Sequence, residues 1–395
     1  MLELDLDLFK NISLELALNS RVSTGGWKGI ERGGKLGSHH LTKDQVEFVF
    51  WCLSYTPSIS KEPVIIECNG KKFEKETITL NGEKITLKPT QYPNIKCPSI
   101  RLHWGKEKDL RNVSFSTDFE NAYFIERGMG QEMIHVAGSV AKVGVNMIGG
   151  IYVDLVPMVP YLTPKPPKNY RKGNLPDPMR DGQDSAVECI QEWKPSDPFK
   201  TEEILRSQLG QLLWAGLGCT PHKTFRYYRY GAVSSEGQGK TIPSASAIYT
   251  INLYVIKKDG IFKYVNWNEE KDAPTHSLGR FKKGISLRIG EHREGGWVYT
   301  GESDLLQEVK NMVLNLPKAS TYVVIASNGR LRPYFSLMEA GYSILHMVLQ
   351  ARALNMTSNI VVLSQEQMTK IRETIGLIDT PIALMPIGLT CARLV

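Results

Sequence analysis

Residues 126–151 read ERGMGQEMIHVAGSVAKVGVNMIGGI, and residues 339–364 read EAGYSILHMVLQARALNMTSNIVVLS. Aligned on Glu126 and Glu339 without gaps, each opens Glu-x-Gly, runs through an apolar helix, breaks, and resumes as an apolar β-like run. Self-similarity of this kind signals a duplicated unit and decides the fold before any single element does. His135 and His346 fall two positions apart in this alignment, so they are not equivalents. Each reads as a core-facing or capping histidine and not as a ligand.

Working outward, the same programme precedes each stretch. LTKDQVEFVFWCLSYT (41–56) places Val46, Phe50 and Leu53 on one helical face behind Thr42, a capping residue. TEEILRSQLGQLLWAGLG (201–218) repeats this with Leu205, Leu209, Leu212 and Leu213, and Thr201 as the expected cap. Both carry a late tryptophan, Trp51 and Trp214. Strand-like runs lie between: VIIEC (64–68), and a run at 70–87 whose Asn81-Gly82 predicts a hairpin turn. The second half offers AIYTINLYVI (247–256), a Lys258-Asp259-Gly260 turn, IFKYV (261–265) and TYVVIAS (321–327). The predicted class is α+β, each copy a mostly antiparallel sheet flanked by helices.

The copies are divided by PMVPYLTPKPPKNYRKGNLPDP (157–178). Its seven prolines fix φ and remove backbone donors, which excludes helix and central strand. The expected organisation is an N-terminal domain over 1–160, a Pro-rich basic linker over 161–184 and a C-terminal domain over 185–395. The linker cations Lys165, Lys168, Arg171, Lys172 and Arg180 suit a solvated connector, or one of them reaches a phosphate.

Composition agrees with two globular domains: 395 residues, 42% hydrophobic and 23% charged. A net charge of +7 without a long Lys/Arg run argues against a nucleic-acid partner. No stretch reaches the roughly 18 apolar residues of a membrane span. The acidic residues in the first 18 positions are wrong for a secretory signal. Cys52, Cys68, Cys97, Cys189, Cys219 and Cys391 form no CxxC pair, so a metal site is not expected, and they read as reduced thiols of a cytoplasmic protein; a secreted disulfide framework is the alternative.

Four segments stand in order in the second half: SQLGQLLWAGLG (207–218), IPSASAIYTINLYVI (242–256), FSLMEAGYSILHMVLQARALNM (335–356) and ALMPIG (383–388). Together they resemble the flavin-binding domain of the nitroreductase superfamily over about 190 residues. Within it they are most similar to the branch holding the azoline dehydrogenases of thiazole/oxazole peptide biosynthesis, which typically reads LLWA, PSAGALYP, LLEAGH and a C-terminal Pro-x-Gly. The first half resembles the same family through a different subset: Ser20-Arg21-Val22-Ser23 is similar to its Arg-Arg-Ser phosphate grip, and Gly149-Gly150 to its glycine turn against the flavin ring. The resemblance therefore implies two tandem nitroreductase-like domains forming an intramolecular pseudo-dimer.

In that family two subunits build each flavin site. The halves here are complementary: the second has Ser185-Ala186-Val187 and Val361-Val362-Leu363 where the phosphate grip and the glycine turn are expected, while Thr56-Pro57-Ser58-Ile59-Ser60 is a degenerate PSAG in the first. The resemblance thus implies one FMN held by Arg21, Ser23, Gly149 and Gly150 together with Pro243, Ser244, Ala245 and Ser246. On physical grounds the small residues of that last segment permit close backbone approach to a flat ligand, and an arginine fork suits a phosphate. FRYYRYG (225–231) is a candidate pocket lining or an edge strand. The branch's Lys-Tyr pair is replaced by Arg332 and Tyr334; arginine stays protonated and is a poor base, which leaves Tyr334 as the candidate catalytic acid or base. Three activities are compatible with this reading: an FMN-dependent dehydrogenase of a small-molecule or peptide substrate, such as a peptide-derived heterocycle; a nitro- or quinone-type reductase fed by NAD(P)H; and a flavin-less binding subunit. Further homodimerisation is open.

Overall fold

The computed structural model describes residues 4–21, 34–36, 41–59, 77–80, 83–90, 99–104, 118–148, 152–194, 202–227, 233–281, 305–313 and 316–389. The first half contains α1 (Leu14–Ser20), β1 (Gly34–Leu36), α2 (Lys43–Ser54), β2 (Thr77–Leu80), β3 (Glu83–Thr90), β4 (Ser99–Trp104), α3 (Asp118–Ala141), β5 (Val143–Ile148) and β6 (Tyr152–Pro160). After the connector come α4 (Ala186–Glu192), α5 (Arg206–Leu217), β7 (Cys219–Tyr227), β8 (Val233–Lys240), β9 (Ile251–Lys257), β10 (Gly260–Asn268) and β11 (Ala273–Phe281). The chain then continues through α6 (Leu305–Met312), β12 (Thr321–Ser327), α7 (Pro333–Ala353), β13 (Met356–Ser358), β14 (Val361–Val362), α8 (Gln365–Ile375) and β15 (Thr380–Leu389).

The class is α+β, with antiparallel sheets flanked by helices. One sheet has the order β1-β6-β4-β3-β2 with β5 on β6, the other β11-β10-β9-β12-β15-β13 with β14 on β15, and β7 pairs β8. The two large sheets share a wiring. The strand before the long helix pairs antiparallel with the strand that closes the half: β4 with β6, and β12 with β15. The short strands leaving the helix pair with that same closing strand: β5 with β6, and β13 and β14 with β15.

Local sequence accounts for most boundaries. Thr42 caps α2 and Gln45 closes the box, with bonds of 3.2 and 3.0 Å, and Val46, Phe50 and Leu53 are buried. The cap expected at Thr201 is not used: α5 begins at Arg206, and the Leu205 N–H donates to Gln208 Oε1 at 2.9 Å. Leu205, expected on the buried face, is 64% exposed because it sits at the N-cap and off the helical periodicity. Thr201 itself and VIIEC (64–68) lie outside the described residues. The pairing of Leu80 with Glu83 bears out the hairpin, and TYVVIAS is β12. Both long helices begin before their glutamate, α7 with Pro333 at its first turn, where the missing N–H costs nothing. Both are followed by a left-handed residue, Lys142 (φ 57) and Asn355 (φ 53), and then by a strand. These two lie at the same offset as Glu126 and Glu339.

Pro157 and Pro160, expected to break strand structure, lie in β6. Pro157 lies opposite Val143 of β5 and Pro160 opposite Gly34 of β1, each at the end of its ladder, where a missing N–H is best tolerated. The remainder of the connector has no helix or strand but is not free of the body. Arg171 N–H donates to Pro274 O at 2.8 Å, Leu175 N–H to His276 O at 3.2 Å, and Leu175 is buried.

One hydrophobic core runs through both halves, from Leu14, Phe48 and Ile134 to Trp214, Leu345 and Met385. Its centre is the crossing of α3 and α7. A Cβ on Gly128 would overlap the carbonyl oxygen of Met338, and one on Gly341 would overlap that of Ile125. The contact is reciprocal: each glycine faces the residue that precedes the other helix's glutamate. A smaller cluster, including Tyr322, Val324, Ile371 and Leu384, packs α6 and α8 on the other face of the second sheet.

Candidate functional site

Arg21 follows α1 directly and is 5% exposed. Its guanidinium crosses to the other half: Nε donates to Thr241 O at 2.5 Å and Nη2 to Lys240 O at 3.0 Å. Nε also lies 3.4 Å from Glu132 Oε1, while Nη1 is buried with no partner. Glu132, on α3, also has two imidazoles beside it: His135 Nδ1 at 3.2 Å and, from α7, His346 Nε2 at 2.8 Å. Burial opposes the Glu132 carboxylate, but Arg21, His135 and His346 outweigh it and hold its pKa at about 2. Burial pushes His135 down.

Two residues after Thr241 begins Pro243-Ser244-Ala245-Ser246, whose Ala245–Ala247 form a short 3-10 turn. The loop is clamped by the glutamate that opens the second repeat. Ser244 Oγ donates to Glu339 Oε1 at 2.5 Å, and Thr250 N–H to Glu339 Oε2 at 2.6 Å. Ser244 Oγ also accepts from Tyr249 N–H at 2.7 Å. With its carboxyl buried, Glu339 is pushed up to about 7, although Ser244 and Thr250 pull the other way. Ala247 (φ 55) and Tyr249 (φ 52) are left-handed, a strained state for non-glycine residues that the clamp maintains. Lys240 Nζ sits 4.5 Å from the centre of the Tyr249 ring, and the Tyr249 hydroxyl accepts from Lys240 N–H at 3.1 Å. Burial lowers the pKa of Lys240.

The first half repeats the clamp. Ser58 Oγ donates to Glu126 Oε1 at 3.3 Å and Ile59 N–H to Glu126 Oε2 at 3.0 Å. The degenerate Pro57-Ser58 therefore stands on Glu126 as Pro243-Ser244 stands on Glu339. The helices before the sites match as well. Ser13 and Ser185 cap α1 and α4, seven residues each. Around these caps Leu14 N–H donates to Asp184 O at 3.1 Å and Ala186 N–H to Ile12 O at 3.0 Å. The residue closing α1 is Arg21, and the residue closing α4 is Trp193.

No protein-family model matches the chain, and no curated protein does. Solved structures do. A protein of Anabaena variabilis that carries a nitroreductase name is similar over 96% of this chain and 100% of its own, at 12% identity and a TM-score of 0.49. One of Ralstonia eutropha, with the same kind of name, covers 59% of this chain and 97% of its own, at 19% identity and a TM-score of 0.40. The Escherichia coli microcin synthetase McbBCD complex, bound to truncated pro-MccB17, covers 51% and 70%, at 16% identity and a TM-score of 0.33.

Of the residues singled out in the sequence, Arg21, Pro243, Ser244 and Ala245 are brought to one place. Ser246 contributes its backbone to the same turn. Ser23, Gly149 and Gly150 lie outside the described residues. Tyr334 is at the start of α7, 9% exposed, its ring tilted against that of Phe335 with centres 4.0 Å apart. Burial raises its pKa, so its phenol holds its proton at neutral pH. The chain before it is tied to the clamped loop through Asn328, whose N–H donates to Thr250 O and whose Nδ2 donates to Tyr249 O, both at 2.9 Å. Of the linker cations, Arg180 bonds Pro178 O at 3.0 Å and lies 5.2 Å over the Tyr170 ring, inside the connector. Phe225–Tyr227 belong to β7, and the rest of that aromatic run lies outside the described residues. Sequence reading missed the two clamp glutamates and Glu132. Their signal was an acidic residue inside an otherwise apolar helix, which the burial cost makes informative.

Proposed function

We propose that the chain is an FMN-dependent oxidoreductase built from two nitroreductase-like copies that form an internal pseudo-dimer with one flavin site. The carrying observation is the seat of Arg21: a first-half guanidinium bonded to Lys240 O and Thr241 O, immediately before the clamped Pro243–Ser246 loop. Several observations support an internal two-fold: the reciprocal glycine crossing, the paired Ser-on-Glu clamps and the mutual pairing around Ser13 and Ser185. Trp193 at the position matching Arg21 supports a single competent site, because an indole offers no charge to a phosphate.

The residues fit the cofactor on two counts. Arg21 Nη1 is an orphaned buried donor next to the loop, available to a phosphate oxygen. The loop presents small side chains, Ser244 and Ala245 among them half-buried, which suits a flat ring. In this reading Arg21 and Ser23 hold the phosphate, and Gly149, Gly150 and Pro243–Ser246 meet the ring. FMN supplies two-electron redox chemistry when bound. The chain's own part is to orient: the Glu339 clamp fixes the loop, the Glu132 cluster fixes Arg21, and Tyr334 is the candidate acid or base at the substrate. The substrate in this proposal is a biosynthetic intermediate such as a peptide-derived heterocycle, oxidised to the aromatic ring.

Flavin released on denaturation tests the site. One FMN per chain is expected, with most of it lost in Arg21→Ala; two flavins per chain, or none, would sink the proposal. Oxygen-dependent loss of two mass units from an azoline peptide tests the reaction, while flavin bleaching by NAD(P)H alone would select a reductase.

A further inference from the structure

A cleft lies at the opposite end of α5 from Arg21. Trp214 and Gly218 hold Thr241 at the C-terminal end of the helix, and Arg206 opens its N-terminal end. Twelve helical residues separate the two by about 17 Å. The cleft has a volume of about 310 Å3 and is formed by the connector, α5 and the β9–β10–β11 edge of the second sheet. That is the lower end of the range for small-molecule sites.

Its floor is apolar: Leu209 from α5, Phe262 from β10 and Leu278 from β11. Its walls are fixed. Asn174 of the connector clasps Leu278 from both sides, donating to its carbonyl and accepting from its N–H, each at 2.8 Å. Three cations line the space, and they differ in how they are paired. Lys257 is shared between Glu203, at 3.4 Å, and Asp259, at 3.9 Å. Arg206 donates to a carbonyl, Asn174 O at 2.8 Å. Arg280 donates to Asp259 O at 2.9 Å, its guanidinium lies 5.9 Å over the Phe262 ring, and its Nε is buried without a partner. Among the described residues neither guanidinium pairs with a carboxylate.

Two guanidiniums that pair with no carboxylate among the described residues, above an apolar floor, are the complement of an anion with an apolar body. We propose that this cleft binds a small organic carboxylate, its carboxylate between Arg206 and Arg280 and its chain or ring on Leu209, Phe262 and Leu278. A carboxylate accepts the guanidinium fork bidentately, which gives the orphaned Arg280 Nε a partner. The acidic neighbours Asp259 and Glu203 disfavour a dianion such as a phosphate monoester. The proposal is independent of the flavin reading.

The test is calorimetric titration of the full-chain protein at low ionic strength with hexanoate, hexanol, phenyl phosphate and inorganic phosphate. Saturable hexanoate binding is expected, with hexanol and both phosphates about tenfold weaker or more, the scale of one lost charge-assisted hydrogen bond. Arg206→Gln and Arg280→Gln should each weaken hexanoate by a similar factor and leave the thermal midpoint and the flavin content unchanged. Arg206 is exposed, so its variant decides the matter if Arg280→Gln does not fold. The proposal is overturned by no saturable hexanoate binding, by equal affinity for hexanol, by tighter phenyl phosphate binding, or by an Arg206→Gln variant that binds hexanoate as well as the parent.

Discussion

At the scale of single residues, two buried glutamates carry opposite consequences for pH. Glu339 has its pKa raised to about 7 by burial, against an ordinary value of 4.5. Between these two values the folded chain keeps a proton that the unfolded chain has released, so this group's contribution to stability falls as pH rises from 4.5 to 7. Glu132 is held at about 2, so its contribution is full above 4.5 and is lost as pH falls from 4.5 towards 2. Glu339→Gln should therefore flatten the thermal midpoint between pH 4.5 and 7; a variant that kept the parent's slope there would exclude Glu339 as its source. Glu132→Gln leaves Arg21 buried beside two histidines with no counter-charge. Removing one partner of a buried ion pair costs about 3–5 kcal/mol. Denaturant unfolding at pH 7 should show a loss of that order, and one below about 1 kcal/mol would mean that the cluster is not held by charge.

Among the elements, the packing of α3 on α7 rests on two glycines whose Cβ positions are taken by backbone. Backbone cannot rotate away as a side chain can, so the helices must separate. Gly341→Ala should cost about 1–3 kcal/mol or more, the usual price of overpacking. Gly210→Ala, inside α5, is the control: its Cβ would meet side chains and no backbone, His276 at 3.1 Å and Leu175 at 3.6 Å, and alanine improves helix propensity by about 1 kcal/mol. A denaturant series in which Gly341→Ala was no worse than Gly210→Ala would remove the glycine crossing from the account. The elements also show what the sequence makes legible. The Glu-x-Gly repeat, the Thr42 cap, the Asn81-Gly82 hairpin and β12 follow from local pattern, and local pattern is what these features need. The start of α5 and the course of β6 do not, because tertiary context decides whether Leu205 is inside a helix and whether Pro157 can lie at the end of a ladder. Arg21 and the Pro243 loop were legible as candidates from residue type. The clamps were not, since a glutamate at the head of a repeat shows its role only once the loop that it binds is in place.

For the molecule as a whole, the sequence reads as two domains, yet the hydrophobic core is continuous across its two halves. Leu14, Phe48 and Ile134 of the first half share one cluster with Trp214, Leu345 and Met385 of the second. The buried charge network is likewise shared, since Glu132 takes His346 from the other half. The connector adds tethers along β11 but supplies little of this burial. The halves should then behave as one cooperative unit whose association does not depend on the covalent link. A protease site inserted between the exposed Lys168 and Asn169 puts this to the test. After cleavage the two fragments should elute together in gel filtration and unfold in a single calorimetric transition, close to that of the uncut chain, because the apolar surface buried between them is that of a domain interior. Cutting makes unfolding bimolecular, so the midpoint of the cut form should also rise with protein concentration while that of the intact chain stays fixed. Fragments that separated without denaturant, or two transitions in the intact chain, would show instead that each copy carries its own core.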